Sequence, residues 1–197
     1  IRQVSTGYRY LLDDGKAEHT PKVQRAVASL TRRMPQDPNF RALVYSNFIG
    51  SGVSEYSKLL EEKGVQHQIY TGALSRKEKD AIVSKYNSGE VPVLIVSSSG
   101  AEGLDLKGTK LIQVMDPHFN PSKIRQIIGR GVRYESHEHL PPGERHVDVE
   151  HYISVLPKPA IGQAPTSIER YLTDNSGGKQ EIFDQVRSLM KSKVQKR

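Results

Sequence analysis

Gln126, Arg130 and Arg133 stand four and three residues apart in the run Gln126-Ile-Ile-Gly-Arg-Gly-Val-Arg133. On a helix these are positions i, i+4 and i+7, so one amide and two guanidiniums share a stripe. A guanidinium is a planar fork of donors that stays charged throughout the physiological range. Two on one face suit a multiply charged anion, with glycines at 129 and 131 letting another surface come close, and a nucleotide γ-phosphate is the obvious candidate. Taken alone, two arginines on a surface helix ordinarily make screened ion pairs. The rest of the chain decides between these readings.

The elements around this helix determine where its stripe can point. Asn120-Pro121 starts it, because Asn can cap free N–H groups and Pro suits the first helical position. Upstream, Thr20-Pro21 opens a helix with Val23, Ala26, Val27 and Leu30 on one side. Met34 to Asn39 reads as a loop and Arg41 to Ser46 as a short apolar strand. A helix from about Ser54 to Lys63 stops at Gly64. Gln68 to Tyr70 is a brief strand, and Ser75 with Glu78 forms a capping box for a helix ended by Gly89. Val91–Ser97, Leu111–Met115 and Val147–Val155 read as strands. Strands alternating with helices predict an α/β fold, a parallel sheet with helices on both faces, whose ligands sit beyond the carboxyl ends of the strands. Ser46-Asn47, Thr71-Gly72, Ser97-Ser98 and Asp116 all follow strand ends.

After Leu156 the composition changes. Pro157, Pro159, Gly162 and Pro165 make a linker-like run. Thr166 with Glu169 is a second capping box, and Ile182, Phe183, Val186, Leu189, Met190 and Val194 share a helical face. Residues 1–156 therefore form one expected domain, and 157–197 a linker with a C-terminal helical extension.

Composition bounds the function classes. The 197 residues carry a net charge of +7, with a pI near 9.5 and a mean hydropathy of −0.57. Such a balance favours an anionic partner, nucleic acid before membrane. No apolar run reaches spanning length, and no signal peptide opens the chain. The absence of cysteine excludes disulfides and thiolate metal sites. His137, His139 and His146 cluster in a polar stretch that reads as a solvated loop rather than a zinc site. An intracellular protein is expected. The start at Ile1, without Met, reads as a fragment or a trimmed domain.

Together the motifs resemble the second RecA-like lobe of superfamily 2 helicases and translocases, nearest to the Snf2-like branch and to helicases of large DNA viruses and phages. Leu43-Val-Tyr-Ser-Asn-Phe48 resembles motif IV, Tyr70-Thr-Gly72 the next block, Ser97-Ser-Ser-Gly-Ala-Glu-Gly-Leu-Asp105 motif V, and Gln126 to Arg133 motif VI. Asp116-Pro-His-Phe-Asn-Pro121 is similar to the D-P-x-x-N-P of Snf2-type proteins. The likeness runs from His19-Thr-Pro-Lys22 to the tail.

The resemblance implies an arginine finger at Arg133, with Arg130 beside it at the γ-phosphate. It implies that Gln126 joins the helix to nucleotide or to a facing lobe, that Asp105 accepts from the ribose, and that Gly103 permits close backbone approach. Ser46, Asn47, Thr71, Gly72, Ser97 and Ser98 are the implied contacts to nucleic-acid phosphates.

One departure limits the carry-over. No G-x-x-x-x-G-K-[ST] occurs, and Asp13-Asp14-Gly15-Lys16 lacks the strand and spacing of a phosphate loop. ATP and Mg²⁺ are thus expected to be bound mainly by an N-terminal RecA-like lobe, with no metal site in this chain. DNA is the expected track. The alternatives are an RNA helicase lobe and a non-catalytic docking module of the same fold. A self-sufficient phosphotransferase is disfavoured by the missing phosphate loop.

Overall fold

The computed structural model describes residues 10–11, 17–100, 104–116, 121–131 and 146–154. A short antiparallel pair, β1 (Tyr10–Leu11) and β2 (Ala17–Glu18), precedes the main body; the sequence of residues 1–19 carries no clear period that would predict it. Helix α1 (Pro21–Arg33) begins at Thr20 with Pro21 in the first turn, though the Thr20 side chain makes no capping bond. Val23, Ala26, Val27 and Leu30 are all fully buried, which places the expected stripe on the core; the valine and leucine side chains each contribute about 1.5–3 kcal/mol of burial.

Strand β3 (Ala42–Ser46) is buried at every position. A wide π-helical turn, Ile49–Ser54, follows it. There the Val53 N–H reaches back five residues to the Phe48 carbonyl at 2.9 Å. Helix α2 (Glu55–Glu62) continues from this turn and stops at Gly64, whose φ of 66° lies in the left-handed region. Strand β4 (His67–Tyr70) leads to α3 (Arg76–Ser88). The α3 capping box is formed in both directions: Ser75 Oγ accepts from Glu78 N–H at 3.3 Å, and the Glu78 carboxylate accepts from Ser75 N–H at 2.8 Å. Then come β5 (Val93–Ser97), β6 (Leu111–Val114), α4 (Pro121–Gly131) and β7 (Asp148–His151).

The five long strands form one parallel sheet in the order β4-β5-β3-β6-β7. Its two faces separate two cores by the period-2 alternation of strands. Ala42, Val44, Val93, Ile95 and Leu111 face α1 and α2, while Leu43, Tyr45, Leu94, Val96, Ile112 and Val114 face the side chains of α3 and α4, among them Tyr86, Ile124 and Ile127. Strand β7 is shorter than the expected Val147–Val155. Among the described residues it is an edge strand whose sole partner, β6, is itself four residues long.

Gln113, on β6, is fully buried and polar. It accepts from Tyr56 Oη at 2.5 Å and donates to the Ala26 carbonyl at 2.9 Å and to the Glu150 carboxylate at 2.9 Å. Arg33 and Ser29 also reach Glu150, each at 2.8 Å. This network ties α1, α2 and β7 to the sheet.

The topology also marks a crevice. β3 and β6 are neighbours, yet the helix after β3 packs on one face and the helix after β6 on the other. Adjacent strands whose connections leave in opposite directions define a switch point, where α/β sheets bind ligands. The expected linker and helical extension, 157–197, lie outside the described residues.

Candidate functional site

Asp116 occupies the switch point. It follows β6, is 1% exposed, and accepts two hydrogen bonds from the end of β3: Ser46 Oγ at 2.6 Å and the Asn47 N–H at 2.9 Å. Lys22, on the first turn of α1 and also buried, places its Nζ 3.8 Å from the other carboxylate oxygen. A buried carboxylate is stable only when paired and hydrogen-bonded, and these three groups meet that need.

Tyr45 extends this cluster towards β5. Its ring is fully buried, and its hydroxyl donates to Asn47 Oδ1 at 2.7 Å while sharing a second hydrogen bond with the Ser98 side chain. A phenol has one proton, so Ser98 is the donor in that second bond. Burial raises the Tyr45 pKa above its ordinary value; the Ser98 bond lowers it and the Asp116 charge raises it further.

The loops after β4 and β5 are wedged together. Gly72 N–H donates to Ser99 Oγ at 3.2 Å, and Ser97 and Ser99 share a bond at 3.1 Å. A Cβ added at Gly72 would lie 2.8 Å from Ser99 Cβ, and one at Gly100 would lie 2.6 Å from the Tyr70 carbonyl oxygen. Glycine is required at both by close approach, not by an unusual φ.

Farther along, Leu104 and Leu106 are buried and the intervening Asp105 is exposed. This loop is held from below. Asn87 Nδ2 donates to the Asp105 carbonyl at 3.0 Å, Asn87 Oδ1 accepts from Lys107 N–H at 2.8 Å, and Arg41 donates to the Lys107 carbonyl at 2.8 Å. On α4, Ile124 and Ile127 are buried and Gln126 is exposed. Position 130 follows one turn beyond Gln126 on the same stripe. Gly103 and Arg133 lie outside the described residues, as do Asp13 to Lys16 and 132–145.

The expected phosphate contacts thus divide. Asn47, Thr71 and Ser98 are partly exposed and Gly72 is exposed, all on the carboxyl edge. Ser46 and Ser97 are each 1% exposed and hold the loops from beneath, Ser46 through Asp116 and Ser97 through Ser99. The residues that sequence reasoning missed are the connectors, namely Tyr45, Lys22, Arg41 and Asn87. Lys22 and Tyr45 stood inside quoted motifs, but the strand pattern marks Tyr45 only as core. Among the described residues, no group of three or more His, Asp or Glu side chains could hold a metal ion. No described helix is long and apolar enough to cross a membrane.

A RecA-like sheet with its polar motifs at the carboxyl edge defines the class, a helicase C-terminal lobe. The chain belongs to the family described as the helicase conserved C-terminal domain, which matches residues 22–135. It is 39% identical over 148 residues to the "Putative ATP-dependent RNA helicase L538" of Acanthamoeba polyphaga mimivirus, covering 75% of this chain and 33% of that protein. It is 35% identical over 119 residues to a "Termination factor NPH-I homolog" of African swine fever virus, covering 57% of this chain and 17% of that protein. The chain therefore spans a third or less of these relatives. Among solved structures, the C-terminal part of the Fun30 ATPase domain superposes with a TM-score of 0.56 at 18% identity, over 66% of this chain and 40% of that one. Domain 2 of the Mss116p DEAD-box helicase, bound to an RNA duplex, gives a TM-score of 0.53 at 16% identity, over 66% and 49%. These two likenesses establish the shared fold.

Proposed function

We propose that this chain is the second lobe of an ATP-dependent nucleic-acid motor and completes an ATP site between itself and an N-terminal RecA-like lobe. The observation that carries the reading is the shared edge: α4, on which Gln126 is exposed, and the loops after β3, β4 and β5 all follow the carboxyl ends of strands in one parallel sheet. Mg²⁺ would be held by the other lobe. ATP supplies the phosphoryl group that is transferred to water. Arg133 is the finger that stabilises charge during that transfer, with Arg130 beside it. Asp105, projecting between two buried leucines, accepts from the ribose, Gly103 admits the nucleotide to the backbone, and Gln126 bridges to nucleotide or facing lobe.

Asn47, Thr71, Gly72 and Ser98 grip the phosphodiester backbone, with Ser46 and Ser97 supporting them from the interior. The charge of +7 suits that partner. Phosphate contacts carry no sequence information, so this lobe confers little base specificity. Cleft closure and opening step the protein along its track. Residues 1–156 form the lobe, and 157–197 join it to a helical extension that packs on this lobe or braces the other. The protein works inside the cell.

DNA is the preferred track. RNA is the second reading, favoured by the printed name of the mimivirus relative. Turnover on duplex DNA against single-stranded RNA separates the two. The test of the motor reading is Arg133→Ala in the whole two-lobed protein. ATP turnover is expected to fall about 10³-fold or more while nucleic-acid binding persists. Wild-type turnover in that variant would leave a docking module of the same fold.

A further inference from the structure

We infer that Tyr45 and Asp116 are positioning residues forming a relay between the phosphate-gripping loops and the arginine helix, an inference that rests on the motor reading above. The observation is a continuous path of hydrogen bonds across three strand ends. Ser98, after β5, donates to the Tyr45 hydroxyl. Tyr45 donates to Asn47 Oδ1 at 2.7 Å. The Asn47 N–H donates to Asp116 at 2.9 Å, Ser46 joins at 2.6 Å, and Lys22 lies 3.8 Å away on the far side of the carboxylate. Asp116 lies five residues before Pro121, the first residue of α4.

Packing alone does not require these groups. The Tyr45 ring fills an apolar core that Phe would fill equally, so its hydroxyl adds only the two bonds to loop side chains. Asn47 and Ser98 are partly exposed, and water could satisfy both. Asp116 is a carboxylate at 1% exposure, and its pair with Lys22 is as a whole costly to bury and replaceable by apolar side chains where only stability is needed. Tyr45 and Asp116 both sit at the crevice between β3 and β6, and α4 follows β6 in the chain. A phosphate that draws on Ser98 or Asn47 competes with Tyr45 for the same donor or acceptor atoms. The resulting shift of Asn47 is transmitted to Asp116 through its backbone N–H.

The test is the stimulation factor of the whole two-lobed protein, defined as ATP turnover with saturating nucleic acid divided by turnover without it. A merely structural defect lowers both turnovers together and leaves this ratio unchanged. Tyr45→Phe removes one oxygen from a filled site, and the ratio is expected to fall about fivefold, the worth of one net hydrogen bond. Asp116→Asn keeps an acceptor for Ser46 and Asn47 but loses the charge facing Lys22, and it is expected to lower the ratio as well. The double variant is expected to lower it less than the product of the two single effects, as for residues in one network. An unchanged ratio in Tyr45→Phe, with Arg133→Ala abolishing turnover, would overturn the relay and spare the motor reading. Wild-type turnover in Arg133→Ala would overturn both.

Discussion

A methyl group added at Gly129 separates what this lobe does alone from what it does against a second surface. Gly129 lies inside α4, exposed, one turn from Gln126 and next to position 130. A Cβ built there meets nothing within 4 Å. Glycine inside a helix costs roughly 0.5–1 kcal/mol relative to alanine, through backbone entropy. Gly129→Ala should therefore stabilise the protein by that amount, raising the unfolding midpoint by about 1–4 °C for a domain of 150–250 residues. The effect on turnover should have the opposite sign. If α4 closes on a nucleotide and a facing lobe, a methyl group beside the arginine stripe intrudes on a close contact, and overpacking of that kind costs about 1–3 kcal/mol. At 1.4 kcal/mol per tenfold, turnover should fall by about 5- to 140-fold. Thermal unfolding and steady-state ATP turnover of the same two-lobed protein measure both signs. A lower midpoint would refute the open space around Gly129. A higher midpoint with unchanged turnover would refute the close approach of a second surface at this helix.

The opposite packing holds at Gly100, where an added Cβ would lie 2.6 Å from the Tyr70 carbonyl oxygen and 3.1 Å from Thr71 Cα. Gly100→Ala is expected to cost about 1–3 kcal/mol in urea unfolding and to weaken nucleic-acid binding, since Thr71 must move; wild-type behaviour in both would discredit the wedge. The remaining prediction concerns pH. Burial tends to raise the pKa of Glu150, but hydrogen bonds from Tyr152, Gln113 and Ser29 and the Arg33 charge outweigh it and hold the carboxyl below its ordinary value. A depressed carboxylate lends stability that is fully present above the unfolded pKa, roughly 4.3, and is lost as pH falls through the folded value. Urea midpoints of the native protein should thus fall more steeply below about pH 4.3 than those of Glu150→Gln, and parallel curves would refute the assignment.

The elements were legible because their signals are local. Ser75 and Glu78 three residues apart, Pro21 after Thr20, and Gly89 after an amphipathic run each act within one turn of helix, and each appears in the structure where the spacing put it. Strand residues 42–46 and 93–97 are short apolar runs, and both are buried at every position. The connectors were not legible because their partners are distant in sequence. Ser46 meets Asp116 across 70 residues, Arg41 meets the Lys107 carbonyl across 66, and Gln113 meets Glu150 across 37. No period encodes such pairs. A serine at a strand end looks the same in a sequence whether it faces a phosphate or a buried carboxylate. For that reason Ser46 and Ser97 read as surface contacts, although the fold buries them.

These long-range ties bear on how such a lobe can work. Gly72 and Gly100 bring the loops after β4 and β5 into contact with no room for a single Cβ. Tyr45 and Asp116 join the loop after β5 to the ends of β3 and β6. Beneath them, the Gln113 network fixes α1, α2 and β7 to the same sheet. Packed interiors switch between discrete arrangements and do not deform continuously. Loops tied in this way move as one body with the sheet or shift together at the switch point. On the motor reading, the large displacement of each cycle then belongs to the cleft between lobes. On that reading, and on the relay inferred above, binding of the track reaches the arginine helix through small shifts at β3 and β6, where two of the buried charges, Asp116 and Lys22, face each other.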